Sequence, residues 1–147
     1  MPIRSANATW KGDLKEGKGV VSTESSLIQD ADYNFSKRFE NEKGTNPEEL
    51  LGAAHAACFS MALSGALSKA GHAVKSIKTT DKVYIEKEGE GFTITKIEMQ
   101  CEAEVSGVNE ETFLKIAEET KKGCPVSRAL TGIEMKLNAK LKSVAIA

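Results

Sequence analysis

Three cysteines, Cys58, Cys101 and Cys124, are the residues of this 147-residue chain best suited to covalent chemistry. Their odd number and wide spacing do not resemble the disulfide framework of a secreted protein. The first residues also lack the apolar stretch that a signal peptide needs, so we expect a cytoplasmic protein. In a reducing cytosol a thiol is more often packed, metal-bound or catalytic, and each cysteine is therefore interpreted from its neighbours.

Cys101 has the surroundings of a structural cysteine. It lies in an alternating stretch that predicts a strand, in register with the apolar residues Met99 and Ala103. A thiol on such a face behaves as a small hydrophobic side chain. We therefore interpret Cys101 as a core residue without a chemical role.

Cys58 and Cys124 have surroundings in which a reactive thiol is plausible. Cys58 lies in the middle of a predicted helix among small residues, which would let another backbone approach closely. Cys124 precedes Pro125, and proline suits the first position of a helix, so Cys124 is the predicted N-cap. Unpaired backbone N–H groups at a helix start stabilise a thiolate. At both positions a packed thiol and a reactive thiol remain equal alternatives.

A nucleophilic thiol must ionise, and a position in the middle of a helix gains little from the helix dipole. The usual remedy is a guanidinium that a carboxylate holds in place. Arg38 is the candidate cation, and Glu48 and Glu49, at the start of the same predicted helix as Cys58, are the candidate carboxylates. Ordinary surface charges would account for these residues equally well.

Other kinds of site find less support. His55 and Cys58 share a helix face, and with Cys124 they could supply three zinc ligands. No CxxC pair and no second histidine at ligand spacing accompanies them, so we interpret His55 as a packed or hydrogen-bonded residue. The sequence also lacks the Gly-x-Ser-x-Gly motif of serine hydrolases and a phosphate-binding glycine loop.

Composition argues against nucleic-acid and membrane partners. Lys plus Arg number 20 against 21 for Asp plus Glu, a formal net charge of −1, so no basic excess is available to neutralise phosphates. The uncharged stretch at residues 50–68 is more than half Gly, Ala and Ser. We expect it to be too weakly apolar to span a bilayer and to form a buried helix of a soluble protein.

The order of predicted elements indicates a single α+β domain over residues 1–147, with antiparallel strands packed on helices. Asn46 is the predicted cap of the long helix and Pro47 its first residue, and the helix runs to about residue 70. A hairpin, a helix capped by Asn109 and a short helix after Cys124 follow. Strands are predicted at residues 6–10, 19–23, 33–39, 76–87, 92–105 and 133–141.

Two cysteine motifs resemble those of a known family. The run His55-Ala56-Ala57-Cys58-Phe59-Ser60-Met61 and the later Cys124-Pro125-Val126-Ser127 are similar to the motifs of the OsmC/Ohr thiol peroxidases. The first motif and the segment Arg38-Phe39-Glu40 resemble the osmotically inducible (OsmC) branch. The resemblance covers nearly the whole chain.

The resemblance implies a thiol-dependent peroxidase that needs no metal or haem. It would reduce organic hydroperoxides and hydrogen peroxide in defence against oxidative and osmotic stress, with a dithiol as its reductant. Cys58 matches the peroxidatic cysteine of the family and Cys124 the resolving cysteine, which together would form a disulfide. Arg38 matches the activating arginine and Glu48 the carboxylate that holds it, while the role of the neighbouring Glu49 is open.

The family fold implied is an intertwined homodimer whose sheets wrap two long central helices, with the sites at the subunit interface. Two other functions remain possible for such a fold. One is a non-enzymatic protein that binds a small apolar ligand and only packs Cys58, and the other is a redox sensor. A peroxidase turns over repeatedly with a dithiol, a sensor is oxidised once, and a binding protein does neither.

Overall fold

The computed structural model describes residues 1–142, which belong to two compact units divided after Leu50. We call residues 1–50 the N-terminal unit and the described residues from Leu51 onward the C-terminal unit. The predicted α+β class is confirmed. The elements are β1 (Ala6–Lys11), β2 (Lys18–Thr23), β3 (Ala31–Tyr33), α1 (Phe35–Phe39), α2 (Pro47–Lys69), β4 (Ala73–Glu88), β5 (Gly91–Ser106), α3 (Glu110–Gly123), α4 (Pro125–Ala129) and β6 (Glu134–Lys142).

The N-terminal unit contains an antiparallel sheet in the order β1-β2-β3 and the short helix α1. The strand predicted at residues 33–39 is wrong, because β3 ends at Tyr33 and a helical turn follows. The side chain of Asn34 accepts a hydrogen bond from the backbone N–H of Lys37 at 2.8 Å and so caps this turn. An asparagine that satisfies a free N–H group in this way favours a helix start over a continuing strand. Arg38 therefore lies on a helix.

Helix α2 begins as predicted. The side chain of Asn46 accepts the backbone N–H of Glu49 at 2.8 Å, and Pro47 is the first helical residue. The helix ends at Lys69, and Gly71 follows with φ +88°, a left-handed conformation that glycine adopts without steric cost. Cys58 is therefore in the middle of a 23-residue helix.

The C-terminal unit is built on the long hairpin of β4 and β5, which are antiparallel. The predicted inward face of β5 is confirmed, since each of its alternate residues from Ile97 to Val105 is buried. These side chains form one core with buried residues of α2 and α3: Phe59, Leu63, Leu67, Phe113 and Ala117. Cys101 is 1% exposed within this core, as its apolar register predicted.

Strand β6 corrects the prediction of purely antiparallel sheets. It joins the edge of β5 in parallel, with Met99 opposite Leu137 and Cys101 opposite Ala139. The reason is the connection between the two strands, which contains α3 and α4. A helical crossover carries the chain back across the sheet, away from the end at which β5 finishes, so the next strand runs in the same direction as β5.

The expectation that the apolar stretch is too weakly hydrophobic for a bilayer is not supported. Helix α2 is long and apolar enough to cross a membrane by length and composition, with a mean hydropathy of 1.5 in its most apolar window. Only 28% of that window is buried. A core helix of a soluble protein meets the same criterion, so this observation is weak evidence for a membrane span.

Candidate active site

Cys58 and Cys124 lie together in the C-terminal unit as free thiols. Cys58 is half-buried on α2, and Cys124 is 2% exposed at the start of α4. Their side chains lie close enough to interact, because the Cys124 side chain raises the pKa of the Cys58 thiol. The fold therefore brings together the two cysteines that the sequence singled out, and it leaves the third in the core.

The surroundings of Cys58 in this chain oppose its ionisation. Burial raises the pKa of the Cys58 thiol above its usual value, and the Cys124 side chain raises it further. The backbone N–H of Val126, in the first turn of α4, donates to the Cys58 sulfur and lowers the pKa, but burial dominates. These surroundings together favour the neutral thiol of Cys58.

Cys124 is the N-cap of α4, as predicted from Pro125. Its sulfur accepts a hydrogen bond from the backbone N–H of Ser127 at 3.3 Å. The Ser127 hydroxyl also lies 2.9 Å from the same sulfur. These contacts fix the position of the Cys124 side chain next to Cys58.

Arg38 and Glu48 form an ion pair within the N-terminal unit. The guanidinium Nε and Nη2 atoms donate to Oε1 of Glu48 at 3.1 and 3.0 Å. Glu48 is 6% exposed, and the side chain of Arg38 is 36% exposed over the ring of Phe39. Because a nearly buried carboxylate holds it, the guanidinium has a defined position. Glu49, by contrast, is exposed.

His55 forms a buried hydrogen-bonded chain that sequence reasoning did not assemble. Its Nδ1 lies 2.5 Å from Oδ2 of Asp81 on β4, and its Nε2 lies 2.7 Å from the hydroxyl of Ser127. The prediction of a packed or hydrogen-bonded His55 agrees with this arrangement. Among residues 1–142, no group of three His, Cys, Asp or Glu side chains could hold a metal ion. A carboxylate on the inward face of a strand was the available signal for Asp81.

An α+β fold that holds two free thiols together beside a buried acid–base chain defines a thiol-redox protein. A family model described as OsmC-like protein matches residues 40–138. The curated Peroxiredoxin OsmC of Escherichia coli (strain K12) is 52% identical over 140 residues, which cover 95% of this chain and 97% of that protein. These two matches show that the chain belongs to the OsmC family, which confirms the resemblance.

More distant relatives agree with this assignment. The Organic hydroperoxide resistance protein-like 1 of Staphylococcus saprophyticus is 34% identical over 101 residues, 66% of this chain and 70% of that protein. A crystal structure of an organic hydroperoxide resistance protein from Elizabethkingia anophelis matches with a TM-score of 0.70 and 27% identity, over 96% of this chain and 99% of that one. The chain is a cysteine-based peroxidase of the peroxiredoxin kind, and a non-enzymatic function is not favoured.

Proposed function

We propose that this chain reduces organic hydroperoxides and hydrogen peroxide with Cys58 as the peroxidatic cysteine and Cys124 as the resolving cysteine. The observation that carries the proposal is the contact between these two free thiols in the C-terminal unit. Membership of the OsmC family supports it. The protein acts as one domain in the cytoplasm, in defence against oxidative and osmotic stress, without a nucleic-acid or membrane partner.

In the first step the Cys58 thiolate attacks the terminal oxygen of the hydroperoxide. The new S–O bond forms as the O–O bond breaks, so that Cys58 becomes a sulfenic acid. The departing oxygen takes up a proton and leaves as an alcohol, or as water when the substrate is hydrogen peroxide. Sulfur is oxidised by two electrons and the peroxide is reduced by two.

In the second step the Cys124 sulfur attacks Cys58. A disulfide forms, the S–O bond of the sulfenic acid breaks, and its hydroxyl group leaves as water. A dithiol then reduces the disulfide by thiol–disulfide exchange and returns both cysteines to thiols. Rapid disulfide formation keeps Cys58 from further oxidation.

Arg38 supplies the positive charge that Cys58 needs, and Glu48 holds Arg38. The raised pKa of Cys58 supports the need for a cation, because burial favours the neutral thiol over the thiolate that attacks peroxide. The ion pair with the buried Glu48 supports the assignment of Arg38 as that cation. It holds the guanidinium in one position, so that the side chain does not move freely in solvent. The same guanidinium stabilises the negative charge that develops on the departing oxygen.

To test this function, reduced protein is mixed with an excess of an organic hydroperoxide and dithiothreitol. A peroxidase consumes many equivalents of hydroperoxide and oxidises one dithiol for each. A redox sensor would stop after one equivalent per chain, and a binding protein would consume none. Either of those results would refute the proposed activity.

Cys124→Ser should still react once with peroxide and then lose its protection. Without the second thiol no internal disulfide forms, so excess peroxide should convert Cys58 to the sulfinic and sulfonic acids. Mass spectrometry of Cys58 after a peroxide titration measures this, with wild type as the control. A Cys58 that stays fully recyclable in this variant would remove Cys124 from the resolving role.

The chain assembles as an intertwined homodimer around its long helices. An exposed ridge on α2 supports this: Ala53, Ala57, Met61 and Gly65 follow one another every four residues. Met61 is 81% exposed, and the space around Gly65 is open. Small side chains with one large apolar residue among them suit close packing against a second helix.

Sedimentation should therefore give twice the 15.8 kDa mass of one chain at micromolar concentration. Ala57→Arg should shift the particle to monomer, because a charge on the ridge cannot be buried without a partner. Gln100→Arg, which adds the same charge at an exposed position of β5, is the matched control and should remain dimeric. A wild-type monomer, or a dimer unaffected by Ala57→Arg, would contradict this interface.

A further inference from the structure

The buried chain of His55, Asp81 and Ser127 ends on the sulfur of Cys124 and has no part in the mechanism above. His55 and the Asp81 carboxyl are fully buried, and Ser127 is 3% exposed. The three side chains come from α2, β4 and α4, so the fold of the C-terminal unit assembles them. Within residues 1–142 the second carboxyl oxygen of Asp81 is buried without a hydrogen-bond partner. Burying these polar groups costs free energy of desolvation, so we expect this hydrogen-bonded network to have a function.

The direction of the hydrogen bonds follows from the chemistry of each group. An ionised Asp81 can only accept, so Nδ1 of His55 carries a proton and donates it to Oδ2. Nε2 of a neutral imidazole is then an acceptor, and it receives the Ser127 hydroxyl. The oxygen of that hydroxyl is left free to accept the thiol proton of Cys124, 2.9 Å away. Each hydrogen bond in the series is therefore donated in the same direction, from Cys124 through Ser127 and His55 to Asp81.

We propose that Ser127, His55 and Asp81 form a proton relay that removes the thiol proton of Cys124 and makes it the nucleophile for disulfide closure. This inference rests on the proposed function, because Cys124 needs activation only if it resolves a sulfenic acid on Cys58. Ser127 contacts the reacting sulfur. His55 and Asp81 are positioning residues that act through it.

The relay balances protons over the second step. The Cys124 proton moves to the Ser127 oxygen while the Ser127 proton moves to Nε2 of His55, leaving an imidazolium held by Asp81. The Cys124 thiolate then attacks the Cys58 sulfur, and the S–O bond of the sulfenic acid breaks. The proton then returns from His55 to the Ser127 oxygen as Ser127 gives its own proton to the departing hydroxide, which leaves as water, so the relay ends as it began.

The position of the relay suits the second step rather than the first. Ser127 touches Cys124 with both its hydroxyl and its backbone N–H, and the N–H contact stabilises negative charge on the sulfur as it forms. The groups hydrogen-bonded to the His55 ring are Asp81 from β4 and Ser127 from α4. Cys58 lies on α2 about one turn after His55.

The experiment separates the two steps in a single turnover. Reduced protein is mixed with one equivalent of an organic hydroperoxide and quenched at intervals with a sulfenic-acid trap. Mass spectrometry then measures the loss of the Cys58 thiol and, separately, the lifetime of its sulfenic acid. Ser127→Ala is the main variant, because it removes one oxygen and keeps the backbone N–H that caps α4. His55→Gln is the second, because it retains a polar side chain but no base.

We expect both variants to react with peroxide at the wild-type rate and to form the disulfide about 100-fold more slowly, a typical loss when acid–base assistance is removed. In both, disulfide formation should also accelerate about tenfold per pH unit, as hydroxide takes over from the missing relay. A purely structural role would not produce that pH dependence. Matched controls are Ser60→Ala, which loses a hydroxyl bonded to Thr79, and His72→Gln. Both should resemble wild type.

Three results would overturn the relay. Disulfide formation at the wild-type rate in a folded Ser127→Ala protein would do so directly, even if His55→Gln failed to fold. An equal loss in both steps would indicate a structural role instead. A wild-type protein whose Cys58 thiol is not consumed by the hydroperoxide would refute the proposed function and the relay with it, whereas the first two results leave the proposed function intact.

Discussion

Cys58→Ser is expected to reduce peroxide consumption to the uncatalysed background. A serine hydroxyl is almost entirely un-ionised at neutral pH and lacks the polarisable sulfur that attacks a peroxide bond, so the first step has no nucleophile. The measurement is hydroperoxide loss in the presence of dithiothreitol. The substitution replaces one small side chain by another at a half-buried position, and so the loss should not reflect unfolding.

Cys101→Ser is the matched control for this result. Cys101 is in the core of the C-terminal unit, and burial raises the pKa of its thiol, so it is neither accessible nor readily ionised. The peroxidase activity of the Cys101→Ser variant should remain close to that of wild type, although the buried hydroxyl lowers the thermal stability of the variant somewhat. An active Cys58→Ser protein, or an inactive but folded Cys101→Ser protein, would mean that the nucleophile has been misassigned.

Arg38→Met is expected to slow the first step by about 100-fold or more at neutral pH. Loss of a neighbouring cation raises a thiol pKa by about one unit or more, and each unit is about tenfold in thiolate or about 1.4 kcal/mol. Because burial already raises the pKa of Cys58, the two effects act in the same direction. The loss should exceed the change in thiolate alone, since the guanidinium also stabilises the departing oxygen.

Two further variants test how the guanidinium acts. Glu48→Gln should shift the pH dependence in the same direction but by less, because it loosens Arg38 without removing it. Arg38→Lys should restore part of the rate, because lysine keeps the charge but not the forked geometry that pairs with Glu48. The rate of thiol loss is measured from pH 5 to pH 9 for each variant. If Arg38→Met follows the wild-type curve over that range, Arg38 is an ordinary surface charge.

The parts of the fold that the sequence predicted well are those with local causes. The structure has all three short-range features predicted for α2: the cap at Asn46, Pro47 in the first turn and Gly71 after the last turn. The alternation in β5 identified the buried face and placed Cys101 in the core, because residues two apart on a strand face the same side. The N-cap position of Cys124 followed from the proline beside it.

The parts that the sequence did not predict depend on contacts between distant segments. The parallel pairing of β6 with β5 depends on how α3 and α4 return the chain to the sheet, which alternation cannot reveal. The turn at α1 is the exception, because it depends on a local contact of the Asn34 side chain with the backbone N–H of Lys37, against the strand-like pattern around it. The hydrogen bonds that link Asp81, His55 and Ser127 join side chains from three different elements. The spacing of these residues along the sequence therefore does not reveal that they meet.

Mapping the disulfide after one equivalent of hydroperoxide tests the central claim most directly. Reduced protein is oxidised, alkylated at its remaining thiols, digested without reduction and analysed by mass spectrometry. We predict one cross-linked peptide pair that joins Cys58 to Cys124, with Cys101 recovered as an alkylated thiol in the same chains. A cross-link that involves Cys101, or complete consumption of the hydroperoxide with all three thiols unchanged, would contradict the proposed mechanism.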